Sequence, residues 1–147
     1  MINLKIRIYR PGDDIYVIKL WQECGLLVPW NNPLSDIDRK YADPPELFFV
    51  GELDGALVAT CMVGYDGHRG WLYYLAVKRQ YQRQAAASLM INHAETVLVT
   101  LGCPKVELMV RESNEEVISF YQSNACKKES VHVMSKRLIE DEAHDYD

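Results

Sequence analysis

Hydrophobic and polar residues alternate through Ile2, Leu4, Ile6 and Ile8, which predicts a half-buried first strand. Pro11-Gly12-Asp13-Asp14 breaks that strand and offers capping side chains. Val17, Leu20, Trp21 and Cys24 then recur at three and four, the spacing of one helix face, and Gly25 is a suitable end. The next segment, LLVPWNNPLSD, is rich in turn formers around one aromatic. Beyond it Ser35 or Asp36 is placed to cap a short charged helix, DIDRKYA, which Pro44-Pro45 stops. LFFVGEL and ALVATCMVGY are β-rich runs joined by Asp54-Gly55, a strong hairpin signal. A second turn, Asp66 to Gly70, leads into a third strand, WLYYLAV. Ala86, Met90, Ala94, Val97 and Leu101 define a buried helix face that Gly102 and Pro104 end. Lys105 to Arg111 reads as a strand, Asn114 caps a helix running through Tyr121, and Val131 to Arg137 reads as a last strand.

The predicted order is β-α-α-β-β-β-α-β-α-β. The strands before and after the long helix form a β-α-β unit and so run parallel within an otherwise antiparallel sheet. A mixed-sheet α/β fold follows. At 147 residues the chain fits one domain with a core of its own. Sixteen Lys and Arg against twenty-one Asp and Glu make it mildly acidic, and Glu140, Asp141, Glu142, Asp145 and Asp147 read as a solvated tail. No basic patch marks a nucleic-acid partner, and no apolar run reaches membrane-spanning length. The alternating N-terminus does not read as a signal peptide. The cysteines, Cys24, Cys61, Cys103 and Cys126, lie far apart with no ligand spacing, so no metal site is expected. These features predict a cytoplasmic protein.

One stretch carries chemistry. VKRQYQRQAAASLM, Val77 to Met90, passes from strand through a basic turn into an Ala-rich helix, the outline of a phosphate-cradling loop. A helix N-terminus presents unpaired N–H groups and the positive end of a dipole. This loop has no glycine. If Ala85 must adopt positive φ the cost is about 1–2 kcal/mol, and a methyl aimed at the phosphates would push them outward. Arg83 brings a positive charge near the anion.

The order of elements, the spacing of Val77, Gln82, Ala85 and Ala87, and RESN-x-x-x-x-x-FY from Arg111 to Tyr121 resemble the GNAT N-acetyltransferases. More narrowly, LWQECGLLVPWNNP, YDGHRG and MSKRLIEDE look like the YpeA-type bacterial branch. The likeness runs to about Ile139, making residues 1–139 the domain and 140–147 a flexible acidic tail. It implies a mostly antiparallel sheet of six to seven strands with one central parallel pair, and about four helices. It also implies acetyl-CoA, held by Leu75, Ala76 and Val77 on the strand, by Gln82, Arg83, Gln84, Ala85, Ala86, Ala87 and Ser88 in the loop, and by Asn114 and Tyr121. It leaves room for a homodimer paired through the last strands.

What the resemblance implies chemically is direct attack of an amine on the thioester. A main-chain N–H of Leu75 or Ala76 polarises the carbonyl, and Tyr121 protonates the departing thiolate. Half-buried packing is the other role open to Tyr121, as helix capping is to Asn114. Some relatives carry a glutamate base where this chain has Met109. Glu107, on the same face, could act through a water or be merely solvated, and His68 is a base candidate or a surface turn residue. Trp30, Asn31, Asn32 and His68 are the acceptor-site candidates, with Asp36 and Asp38 supplying negative charge. At pH 7 a lysine is neutral about once in a few thousand, an α-amine about one time in ten. A site without a strong base therefore favours an α-amine of a peptide or small molecule. The competing reading is a degenerate domain that binds CoA or a protein partner without turnover. It draws on Ala85, Arg79, Met109 and Ala125-Cys126, which replace the family's more usual residues. A structural dimer module is a third reading.

Overall fold

The computed structural model describes residues 2–42 and 45–146. The expected helix stop at Pro44 and the tail residue Asp147 lie outside the described residues. Five strands form one sheet in the order β1 (Lys5–Ile8), β2 (Phe48–Leu53), β3 (Ala56–Tyr65), β4 (Gly70–Val77) and β5 (Val106–Glu107). All neighbours are antiparallel except β4 and β5. Four α-helices cover it: α1 (Asp14–Glu23), α2 (Pro33–Ala42), α3 (Ala86–Thr100) and α4 (Glu115–Ser123).

Side-chain alternation sorts the sheet between two cores. Phe49, Ala59, Cys61, Val63 and Leu72 pack with Met90, Ile91, Ala94 and Leu98 of α3. Phe48, Val50, Met62 and Ala76 pack with Val17, Leu20 and Trp21 of α1 and Ile37 of α2. A sheet buried on both faces reads in sequence as near-continuous apolar runs, which is why β2 and β3 were legible. Asp54 (φ 52°) and Gly55 (φ 82°) make the hairpin between them, the left-handed pair of a type I′ turn.

Three expectations need correction. The sheet has five strands rather than six to seven, and the parallel pair stands at its edge rather than at its centre. The strand expected from Lys105 to Arg111 keeps only Val106 and Glu107 in the ladder, because the chain turns away from β4 beyond them. That short edge offers little for another strand to extend. Val131 to Arg137 accordingly joins no ladder, and Val131, Val133 and Met134 are exposed. Lastly, neither Ser35 nor Asp36 caps α2. Asn32 does, its Oδ1 accepting from Leu34 N at 3.1 Å and Ser35 N at 3.2 Å, with Pro33 in the first helical position, where no N–H is needed.

The last residues are tied to the segment 28–39. Asp141, expected in a solvated tail, has a side chain 2% exposed. It accepts from Asn32 N at 2.8 Å and from Arg39 Nη2 at 2.5 Å, and Arg137 Nη2 stands 3.6 Å away. Glu142 O accepts from Asn32 Nδ2, and His144 Nε2 lies 2.9 Å from Val28 O. Among the described residues no helix is long and apolar enough to cross a membrane.

Arg7 joins three elements. Its guanidinium donates to both oxygens of Asp13 at 2.8 and 2.9 Å and to Glu52 at 2.6 Å. Burial pushes the Asp13 carboxyl up, but the Arg7 hydrogen bonds, the Arg10 amide and the two positive charges together hold it below its ordinary value. A depressed carboxylate stabilises the fold above its unfolded pKa of 3.8, and that contribution is lost as pH falls through the lower folded value. Asp13→Asn should therefore cost about 2 kcal/mol at neutral pH. The gap to wild type should close below pH 3.8, as read by urea melts across pH.

Candidate active site

The site begins where β4 and β5 part. They pair at Gly70–Val106 and Trp71–Glu107 only, so from Leu72 onward one edge of β4 has no neighbour and a wedge opens. Lys78 N donates to Val58 O at 2.8 Å. Amides alternate sides along a strand, so that of Ala76, opposite Thr60, also points to β3. Those of Leu75 and Val77 point the other way, into the wedge. Of the two strand amides the sequence suggested, Leu75's is the one that faces open space.

A bulge sits just before it. Between the Met62–Tyr73 and Thr60–Ala76 pairs, one residue on β3, Cys61, opposes two on β4, Tyr74 and Leu75. Tyr74 absorbs the extra residue with φ 48°. The bulge puts Tyr73 and Tyr74 on the same face and returns Leu75 to the α3 side. Its signal in the sequence is the adjacent tyrosines of WLYYLAV, which interrupt strict alternation.

Beyond Val77 a single 3₁₀ turn (Arg79–Tyr81) leads to a loop with two left-handed residues, Arg83 (φ 64°) and Ala85 (φ 66°). Gln82 Nε2 donates to Val77 O at 2.9 Å, which also accepts from Cys24 Sγ at 3.3 Å. Gln82 therefore braces the loop from within. Ala85 is the N-cap of α3 and gives no side-chain cap. Leu89 N bonds to Ala85 O, and the amides of Ala86, Ala87 and Ser88 are first-turn donors without a helical partner. Left-handed residues beside a helix start turn successive amides inward, a concavity suited to an anion. This backbone fits a diphosphate without glycine. The side chain of Arg83 is 91% exposed and stands 3.9 Å from Glu116, which brings the first turn of α4 to the loop.

Asn114 caps α4, accepting from Val117 N at 3.3 Å. Two turns on, Tyr121 packs against the α3-side core with its ring edge-on to Phe120. Burial pushes its phenol above the ordinary value, and the nearby Cys61 and Cys126 act in the same direction. Its hydroxyl makes no hydrogen bond among the described residues. On the other side Trp30 is 55% exposed, and the Arg111 guanidinium lies 5.9 Å from its ring centroid, within cation–π range.

Other sequence candidates are drawn elsewhere. Glu107 sits at the closed end of the wedge, paired with Arg69 Nε at 3.2 Å. Leu75 lies four residues beyond Glu107's partner Trp71, about 13 Å along the strand, too far for Glu107 to touch a group at that amide directly. His68 lies in the turn before β4, its amide donating to Asp66, at the strand's far end from Leu75. Asn32 is consumed by capping α2 and bonding Glu142, and Asn31 Oδ1 accepts from Arg137. In the segment expected at the acceptor site Trp30 is thus exposed, while the asparagines are held by bonds within the protein. Sequence reading missed Thr60, Tyr74 and the Trp30–Arg111 contact, because each depends on long-range pairing that no local spacing reveals. An apolar groove of about 650 Å³ lies at the sheet's other edge, lined by Ile6, Ile8, Leu47, Phe49, Val97 and Leu101.

With this geometry, likeness to known proteins is informative. The acetyltransferase (GNAT) family pattern matches residues 15–125. Two bacterial relatives named acetyltransferase, from Sodalis glossinidius and Pectobacterium atrosepticum, are each 45% identical. The first match spans 96% of this chain and 100% of the relative, the second 94% and 98%. The structure of PaiA N-acetyltransferase from Thermoplasma acidophilum in complex with coenzyme A superposes with a TM-score of 0.71 at 20% identity, covering 89% of this chain and 94% of that one. The chain belongs to the acetyltransferase (GNAT) family.

Ala85 stands in the left-handed region at the start of α3, a conformation that costs alanine more than glycine. Ala85→Gly should relieve about 1–2 kcal/mol of strain while adding about 0.5–1 kcal/mol of unfolded-state entropy. The net expectation is a gain of about 0.5–1 kcal/mol in urea unfolding with acetyl-CoA affinity nearly unchanged.

Proposed function

We propose that this acetyltransferase moves the acetyl group of acetyl-CoA to a primary amine by direct attack, favouring an α-amine of a peptide or small molecule over a lysine side chain. The observation that carries the reading is the wedge. One strand offers an unpaired amide at Leu75, and the loop that follows it ends in the uncapped amides of Ala86, Ala87 and Ser88. The bound thioester supplies an activated acetyl group and a thiolate leaving group. The Thermoplasma neighbour of the same fold was solved with coenzyme A, which supports the choice of cofactor.

In this reading the amides of residues 86–88 hold the diphosphate, with Arg83 adding charge. Leu75 N–H donates to the thioester oxygen as negative charge develops there. Trp30 forms an apolar wall for the arriving amine. The amine nitrogen would bond to the carbonyl carbon as the carbon–sulfur bond breaks, Tyr121 would give its proton to the departing sulfur, and the surplus proton on the new amide nitrogen would pass through solvent to restore the phenol. A phenol held above its ordinary pKa stays protonated at neutral pH, which suits an acid and not a base. Of the base candidates from the sequence, Glu107 stands at the closed end of the wedge and His68 in the turn before β4, both away from the Leu75 amide. The acceptor must therefore arrive neutral, which favours amines of modest pKa. Four free thiols suit a reducing cytoplasm.

Calorimetry with acetyl-CoA tests the first half: no heat at high protein concentration would end the reading. Thiol release with an amine panel tests the second, with dipeptide α-amines expected to outrun Nα-blocked lysine. For the α-amine, kcat/KM should rise about tenfold per pH unit and level off near the amine's own pKa of about 8. Tyr121→Phe should lower kcat by about 10²-fold with acetyl-CoA affinity preserved. Full turnover in that variant would remove Tyr121 from the mechanism.

A further inference from the structure

We propose that Thr60 is a positioning residue that holds Tyr74 in its left-handed conformation and so aims the Leu75 amide into the wedge. This inference rests on the acetyl-transfer reading above. Thr60 is fully buried in β3. Its Oγ1 accepts from Trp21 Nε1 at 2.9 Å, and its hydroxyl donates to Tyr74 O at 2.8 Å. A hydroxyl has one hydrogen, and with Trp21 occupying an acceptor position that hydrogen is committed to the Tyr74 carbonyl.

Tyr74 is held at two further points. Its ring stacks on Trp21 with centroids 3.8 Å apart and planes 10° from parallel, and its hydroxyl donates to Asp36 Oδ2 at 2.6 Å. A bulky residue at φ 48° persists only where its surroundings over-determine it. The ring and hydroxyl anchors fix where the side chain lies. Among the side-chain bonds of the described residues, that of Thr60 grips the peptide joining Tyr74 to Leu75, so together with the ladder pairs on either side it sets where the Leu75 N–H points. The loop at residues 82–88 grips the diphosphate independently of this peptide. Loss of the Thr60 hydroxyl should therefore slow the chemical step and leave cofactor binding alone.

Thr60→Val keeps the shape and removes the hydroxyl, while Thr60→Ser keeps the hydroxyl. For Thr60→Val the expected results are a kcat about tenfold lower with a saturating dipeptide α-amine and an acetyl-CoA Kd, by calorimetry, unchanged within about twofold. Its crystal structure should show Tyr74 moved to negative φ or split between two conformers. Thr60→Ser should recover most of kcat. Should Thr60→Val fail to fold, Thr60→Cys, a weaker donor of similar size, gives the same comparison with an intermediate kcat expected. Wild-type kcat in Thr60→Val, a Kd that weakens in step with kcat, or an unmoved Tyr74 would each overturn the proposal. If the wild-type protein itself transfers no acetyl group, the functional reading falls. The Thr60→Val crystal structure still decides whether the hydroxyl holds the bulge.

Discussion

The parting of two parallel strands after a pair of residues is the constraint on which the rest depends. Paired along its length, β4 would spend every amide on its neighbours, and nothing would be left to meet a ligand. Because β5 leaves after Glu107, the free edge of β4 becomes a row of donors in a sheet otherwise closed on both faces. An unpaired strand edge inside a protein is costly unless something fills it. The wedge is thus both a structural debt and a binding opportunity.

The glycine-free loop shows how backbone geometry can outlast the residues that make it easy. Arg83 and Ala85 both stand in the left-handed region, which L side chains enter at a cost of about 1–2 kcal/mol each. The α3-side core, with Ala86, Met90 and Ile91 buried against the sheet, fixes the start of the helix and leaves the loop little choice. Burial provides the free energy, and the loop's shape follows from where the helix must begin.

Much of this was legible from local pattern. The Asp54-Gly55 hairpin, the α3 face through Ala86, Met90 and Ala94 and the Asn114 cap each depend on residues within a few positions of one another and formed as expected, whereas Leu101, expected on that buried face, follows the helix end and is 50% exposed. The failures are of another kind. Whether Val131 to Arg137 pairs depends on how long β5 stays beside β4. Whether Asn32 caps a helix or faces a ligand depends on Asp141 and Glu142, more than a hundred residues away. Glu107 and His68 carry suitable chemistry, but the sheet places both toward the end where β4 begins. Residue type suggested a role for each, and topology withheld it.

The far end of the chain closes the circle with the segment that carries Trp30. One carboxylate, Asp141, is shared between Arg39 on α2 and Arg137, and it also receives the amide of Asn32. Neutralise that oxygen pair and Arg137 loses this counterion, while Arg39 keeps Asp36 at 3.3 Å. The shape of the Trp30 segment, the proposed wall for an arriving amine, is thus set partly by residues 137–144, far from it in sequence.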